Sequence, residues 1–385
     1  MPSSWFEPIF PYNIIYDLGT YFLLSLIFLI LYKKKIININ LFFISLVFLL
    51  TPFLFNGFLF DWAFLPDQSK YLGFAYEIRE NPKQIFDMPF VPDSEIKIYL
   101  PSILYALSPI ISLETYKGIA LFNRAIFLLT WIFFIKKKFL DKYNSIFFLI
   151  IPSLMLYSSV ALRDNLIILL MLWFIYFYYQ KRFFLIYLTL LLLFLIKTQM
   201  LLIISLFIIF DKIIKNNSIN FKFLFLMILA LAIPTFIFKG EILYLINNFR
   251  EGFFLEEFGQ YASTSAQKNY DEYFKLTFSF SSIPTVISAY SNFIIPPILK
   301  GNYSLFSIIH IFEILTIFTF LYLRINSQKN FNGYIFCKWV LILLISYFIY
   351  SLIIFNNGTI HRYKVPILFF VIFGYFVNIK FKEKK

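Results

Sequence analysis

Apolar residues run in long blocks separated by short polar joints. A helix crosses a membrane on about 20 apolar residues, with roughly 17–25 usual. Blocks of this kind lie near 14–32, 38–58, 117–135, 144–161, 165–180, 183–197, 198–211, 223–238, 302–323, 334–355 and 364–379. They predict an all-α, polytopic protein with eleven transmembrane spans in a single domain, 1–385. The pair 183–211 also reads as one long broken helix followed by a re-entrant piece. Two further apolar stretches, 98–113 and 283–297, are short, and the first contains Pro101 and Pro109. They predict helices lying along or dipping into the external interface. Two elaborated external loops result, 59–116 and 239–301. No internal repeat and no Gly/Ser-rich linker occurs.

The pattern breaks most sharply between residues 59 and 97, where seven acids (Asp61, Asp67, Glu77, Glu80, Asp87, Asp93, Glu95) face four bases (Lys70, Arg79, Lys83, Lys97). The whole chain is 60% hydrophobic and only 14% charged, against about 25% in soluble domains. No soluble fold hides that much Phe, Ile and Leu, so the bilayer is the expected solvent. The net charge of +13 does not point to nucleic acid. Its bases sit at the ends of apolar blocks: Lys33 to Lys35, Lys136 to Lys138 with Lys142, Lys181 with Arg182, Lys212 with Lys215 and Lys222, Arg324 with Lys329, and Lys380 with Lys382, Lys384 and Lys385. With eleven spans and an external N-terminus, every such cluster and the C-terminus become cytoplasmic, as positive-inside topology requires. The acid-rich segments 59–97 and 239–275 then lie outside. No Lys or Arg precedes residue 33, so the first span is not expected to be a cleaved signal peptide. Cys337 is the single cysteine and excludes an intrachain disulfide. Two histidines with no Cys/His cluster argue against zinc, and no metal or cofactor is expected. Walker A, Rossmann and GxSxG patterns are absent, which removes support for ATP, NAD and serine-hydrolase chemistry.

Several polar residues interrupt the apolar blocks, each with two readings. Asp67 follows Pro66 ahead of Tyr71, Phe74 and Tyr76, where it caps an amphipathic helix or serves as a general base for an attacking hydroxyl. Arg163 and Asp164 form either a helical-hairpin turn with a local ion pair or an Arg fork on a phosphate, oriented by the acid. Lys197 either snorkels to the outer surface or lines a wet anion cavity. Arg124 beside Asn123, and His310 with Glu313 one turn apart, favour structural pairing, an Arg124–Glu313 pair included. His361, Arg362 and Lys364 stand at the outer end of the last span. They are a simple anchor or, against the usual charge bias, an anion site.

In order along the chain, the motifs are Asp67-Gln68-Ser69-Lys70-Tyr71, a proline-led segment at Pro101, Gly118, Asn123-Arg124, then Pro152, Ser158, Ser159 and Asp164, then Lys197 after a leucine-rich run. This order resembles the integral-membrane glycosyltransferases of the GT-C fold, especially the protein O-mannosyltransferase and aminoarabinose transferase family. The resemblance covers roughly 38–211. It implies transfer of a sugar from a polyprenyl-phosphate donor, with Asp67 as catalytic base, Tyr71 and Asp164 in the substrate site, and Lys197, Arg163, His361 and Arg362 toward the donor phosphate. The chain departs from the family pattern at Gln68, which replaces a second acid, in the extra block 14–32, and in lacking a large soluble C-terminal domain. The implied partners are a polyprenyl-linked sugar, a lipid-linked or glycan acceptor and membrane lipids, in a bacterial cytoplasmic membrane and in cell-envelope synthesis. A polymerase of lipid-linked repeat units (O-antigen or capsule), a flippase or other transporter, and a non-catalytic membrane subunit remain the alternatives. A transporter should show repeat symmetry and midplane polar sites.

Overall fold

The computed structural model describes residues 13–60, 65, 67–83, 85–86, 93–106, 115–215, 218–222, 225, 229, 237–258, 275–277, 279–280, 282–295, 305–327, 333–354 and 357–383. Among them the regular structure is helical, apart from a two-residue antiparallel pair, β1 (Ile214–Lys215) with β2 (Ser218–Ile219). Four helices are long and apolar enough to cross a membrane: α1 (Ile14–Lys33), α6 (Tyr116–Lys136), α15 (Gly333–Ser351) and Thr359–Ile379 within α16 (Asn357–Glu383). Shorter apolar helices accompany them at Ile39–Phe55, Asp164–Tyr179, Phe183–Lys197 and Ile308–Tyr322. The predicted block 223–238 lies almost wholly outside the described residues, as do Asp61, Asp87 and the segments 107–114 and 259–274.

The chain forms two compact units, 1–201 and 202–385. The first holds α1, α2 (Ile39–Leu49), α3 (Thr51–Phe55), α4 (Asp67–Glu80), α5 (Asp93–Ala106), α6, α7 (Lys142–Ile150), α8 (Pro152–Ser158), α9 (Asp164–Tyr179) and α10 (Phe183–Lys197). Two predicted spans are broken rather than continuous, both at prolines. Block 38–58 divides into α2 and α3 at Pro52, and block 144–161 divides into α7 and α8 at Pro152. Proline has no N–H to donate and disfavours helical backbone in the residue before it. Accordingly Ile151 is extended, with φ −62° and ψ 121°, and Pro152 opens a fresh helix.

Three helices of this unit end the same way. Lys35, Lys138 and Lys181 have φ of 54°, 56° and 57°, in the left-handed region. Each is followed by a residue whose N–H reaches back five: Ile36 to Leu31, Phe139 to Phe134, Arg182 to Phe177. These are Schellman caps with lysine where glycine is the usual choice. A non-glycine residue there costs about 1–2 kcal/mol. The basic side chain offsets part of this by facing the negative end of the helix dipole. Lys138→Gly is therefore expected to stabilise the protein by up to about 1 kcal/mol, read as a higher midpoint of thermal unfolding in detergent. A lower midpoint would show that the lysine charge outweighs the strain. Next to this cap Phe133, Phe134, Phe139, Trp173 and Tyr176 pack ring on ring, with Phe139 and Tyr176 centroids 4.4 Å apart. Aromatic rings beside a lysine cluster suit a membrane–water interface.

α1 lies on the outside of this unit, with 22% of its apolar window buried against 72% for α6. Its free face carries Ile15, Phe22, Leu26 and Ile30. A buried polar tie fastens its start. Asp17, fully buried, accepts a 2.7 Å bond from Thr115 Oγ1, and Lys117 Nζ stands 3.9 Å from its other oxygen. Thr115 Oγ1 also accepts from Gly118 N, capping α6.

The second unit holds most of α11 (Met200–Ile213), then α12 (Lys239–Phe258), α13 (Ser282–Ile294), α14 (Leu305–Ser327), α15 and α16. The expected interfacial segment 283–297 is helical over 283–294. α16 is the core of this unit, with 94% of its apolar window buried. Trp339 stacks on Phe207 at 5.1 Å and meets the edge of Phe370 at 6.0 Å. Gly374 makes room for it: a Cβ at Gly374 would collide with the Trp339 ring at Cη2. Trp339 is buried, so its ring has nowhere to go. Gly374→Ala is expected to destabilise the protein by about 1–3 kcal/mol. A clear drop in the detergent unfolding midpoint would confirm it, and an unchanged midpoint would place the Trp339 ring elsewhere. Lys338 Nζ pairs with Asp211 Oδ1 at 2.9 Å and joins α15 to α11.

Candidate functional site

The first unit is organised around a break in the backbone. Between α8 and α9, residues 159–163 leave the helical path although Ser159, Val160, Ala161 and Leu162 are buried. Irregular backbone survives away from water only where side chains take up its polar groups. Here they do. Asn123 Nδ2 donates to Val160 O at 2.9 Å and Leu162 O at 3.0 Å. Tyr105 OH shares its proton between Asn123 Oδ1 and Leu162 O. Ala161 N donates to Gln68 Oε1 at 2.8 Å, and Asn56 Nδ2 donates to the same oxygen at 3.0 Å. Asn165 Nδ2 donates to Asn123 O at 2.8 Å. Below the break, Arg124 donates from Nη1 to Ser158 Oγ and from Nε to Phe48 O, and its guanidinium lies 4.9 Å from the Phe127 ring. Thr51 Oγ1 and Ser159 Oγ are 2.7 Å apart.

Five of the seven candidate residues, Asp67, Tyr71, Arg163, Asp164 and Lys197, belong to this unit. Asp67 is the first residue of α4, next to Gln68, and so sits in the first turn rather than ahead of it. Tyr71, one turn on, is buried, with its ring edge-on to Tyr105 at 6.2 Å. Burial pushes the Tyr105 hydroxyl well above its ordinary value, which keeps it a proton donor to the break. Arg163 and Asp164 stand at the start of α9, where the acid favours the helix dipole. Arg163 Nη1 donates to Lys97 O at 2.5 Å and lies 3.4 Å from Ile196 O, beside Lys197, which is the buried last residue of α10. Arg163 Nε is buried and finds no hydrogen-bond partner among the described residues. Arg79 Nε donates to Ala106 O, tying α4 to α5, and burial holds its guanidinium below the ordinary value.

The other two candidates belong to the second unit. Arg362 is half-buried. His361 is buried with its Nε2 at 3.7 Å from Glu313 Oε2. His310 Nδ1 lies 3.4 Å from the same carboxylate oxygen, and Lys364 Nζ lies 2.8 Å from His310 Nε2. The two histidines are far apart in sequence and on different helices, so reading the sequence for a Cys/His cluster missed their meeting. The signal available was intramembrane charge: each falls in an apolar block beside another ionisable residue. In the first unit Arg124 is bonded to Phe48 and Ser158, and in the second Glu313 is bracketed by the two histidines. Asn56, Tyr105 and Asp17 are further polar anchors whose local sequence carries no distinctive pattern.

These features define a class, a helical membrane protein with one unit built on a satisfied buried break and another on a buried ionisable cluster. No protein-family model, curated protein or solved structure matches the chain.

Proposed function

We propose that the chain is a membrane glycosyltransferase that moves a sugar from a polyprenyl-phosphate-linked donor to an acceptor on the external face of a bacterial cytoplasmic membrane. One observation carries this reading. Gln68, the neighbour of Asp67, accepts from Ala161 N and so ties the start of α4 to the buried break that leads into Arg163 and Asp164. In the reaction an acceptor hydroxyl oxygen bonds to the anomeric carbon while the bond from that carbon to the phosphate oxygen breaks. Asp67 takes the hydroxyl proton. The polyprenyl phosphate leaves with the bonding pair, and Arg163 with Lys197 stabilises the charge that develops on it. In this reading the chain has an eleven-span, GT-C-like arrangement in which loops 59–116 and 239–301 are external and the reacting groups face outward, and apolar helices such as α1 suit a lipid-borne donor.

A second reading has its own support. His310, Glu313, His361 and Lys364 lie within apolar helices, and ionisable groups inside spans mark ion and proton paths. A carrier of lipid-linked sugars would use them without forming a bond. The test is transfer of labelled sugar from a polyprenyl-linked donor in membranes containing the full chain. Labelled acceptor supports the transferase. Movement of intact donor across vesicles without labelled acceptor supports the carrier.

A further inference from the structure

We infer that His310, Glu313 and His361 form a binding site for one divalent transition-metal ion, zinc by preference, inside the second unit. The site is independent of the transferase reading. His310 Nδ1, a Glu313 carboxylate oxygen and His361 Nε2 all lie within 4.8 Å of one another, and all three residues are buried.

The distances decide between hydrogen bonding and ligation. A good hydrogen bond from a ring nitrogen to a carboxylate is about 2.7–2.9 Å. The two ring nitrogens stand 3.4 Å and 3.7 Å from Glu313 Oε2, too far to hold it well. His310 Nδ1 is buried and makes no hydrogen bond of ordinary length among the described residues. Ligands about 2.0–2.2 Å from a tetrahedral zinc are separated by about 3.4 Å, the edge of that tetrahedron. The 3.4 Å and 3.7 Å spacings are close to that edge, and the third, between the two ring nitrogens, is within 4.8 Å, so the three groups suit a shared ion. Two imidazoles and one carboxylate are a zinc donor set that leaves the fourth position for water or an anionic oxygen. The scaffold is firm. His310 and Glu313 are one turn apart on α14, and His361 comes from α16, the most buried of the four long apolar helices.

Lys364 is the competitor. Its ammonium sits 2.8 Å from His310 Nε2 and balances Glu313 when no ion is bound. A bound divalent ion makes that balance redundant, and the ammonium must swing away from the ring on its flexible stem. Removing the Lys364 charge should therefore tighten metal binding, an effect opposite to that of losing a ligand.

The chain has only two histidines, so any imidazole seen on a bound metal comes from this site. The experiment uses the full chain purified in detergent without a histidine tag, stripped with chelator, then titrated with Zn2+ and, as a spectroscopic probe, Co2+. The expected result is one ion per chain, with imidazole coordination in the X-ray absorption spectrum. Glu313→Gln and His361→Asn should each weaken binding about a hundredfold or more, and Lys364→Met should tighten it about tenfold. Wild-type chain that binds no ion, or binds one without imidazole ligands, overturns the inference. So does binding unchanged in Glu313→Gln. Should the ligand variants fail to fold, Lys364→Met decides: weaker or unchanged affinity than wild type contradicts the site.

Discussion

Asp67→Asn is expected to abolish most sugar transfer, with a loss of at least about tenfold and up to the roughly 10²–10⁴ that general-base help supplies. The substitution is nearly isosteric, and Asn is as good as Asp near a helix start, so α4 should form as before. What disappears is the capacity to accept a proton from the attacking hydroxyl. Detergent-solubilised size-exclusion profiles of variant and wild type should coincide. A variant with matched folding and full transfer would keep the enzyme class and remove Asp67 from its chemistry.

Gln68→Leu carries the second large effect, on stability first. Gln68 Oε1 is the acceptor for both Ala161 N and Asn56 Nδ2, and the residue is buried. Leucine fills similar volume but leaves two donors without a partner, at about 1–3 kcal/mol each. A total loss of about 2–4 kcal/mol is expected, seen as a lower unfolding midpoint, together with reduced transfer as α4 comes free of the break. An unfolding midpoint unchanged in Gln68→Leu would mean that this oxygen does not hold the break.

Much of the helical framework was legible as long apolar blocks, because a helix that faces lipid on one side and protein on the other needs little polarity anywhere. α1, α6, α9, α10 and α15 fall close to their predicted blocks for that reason. The breaks at Pro52 and Pro152 were written in the sequence too, yet block length masked them: two short helices and one long one bury similar apolar residues. The buried excursion at 159–163 was not legible. Its backbone is satisfied by Gln68, Asn123 and Tyr105, which come from three other helices. Asn123, Arg124, Ser158 and Ser159 stood out in the motif order, and the structure gives them work in holding or flanking that break. Asp67 and Tyr71 were found in the polar stretch 59–97, and Arg163, Asp164 and Lys197 as polar interruptions of apolar blocks; their shared unit follows from the fold. The meeting of His310 with His361 escaped because each looked like a local feature of its own helix.

The most direct test of the account is the fate of a doubly labelled donor, sugar and polyprenyl phosphate, in membranes holding the full-length chain and a suitable acceptor. The account predicts that the two labels separate, with sugar on the acceptor and polyprenyl phosphate released in equal amount, at a rate that Asp67→Asn lowers at least about tenfold. Labels that stay together while the intact donor changes leaflet would contradict it and make the protein a carrier.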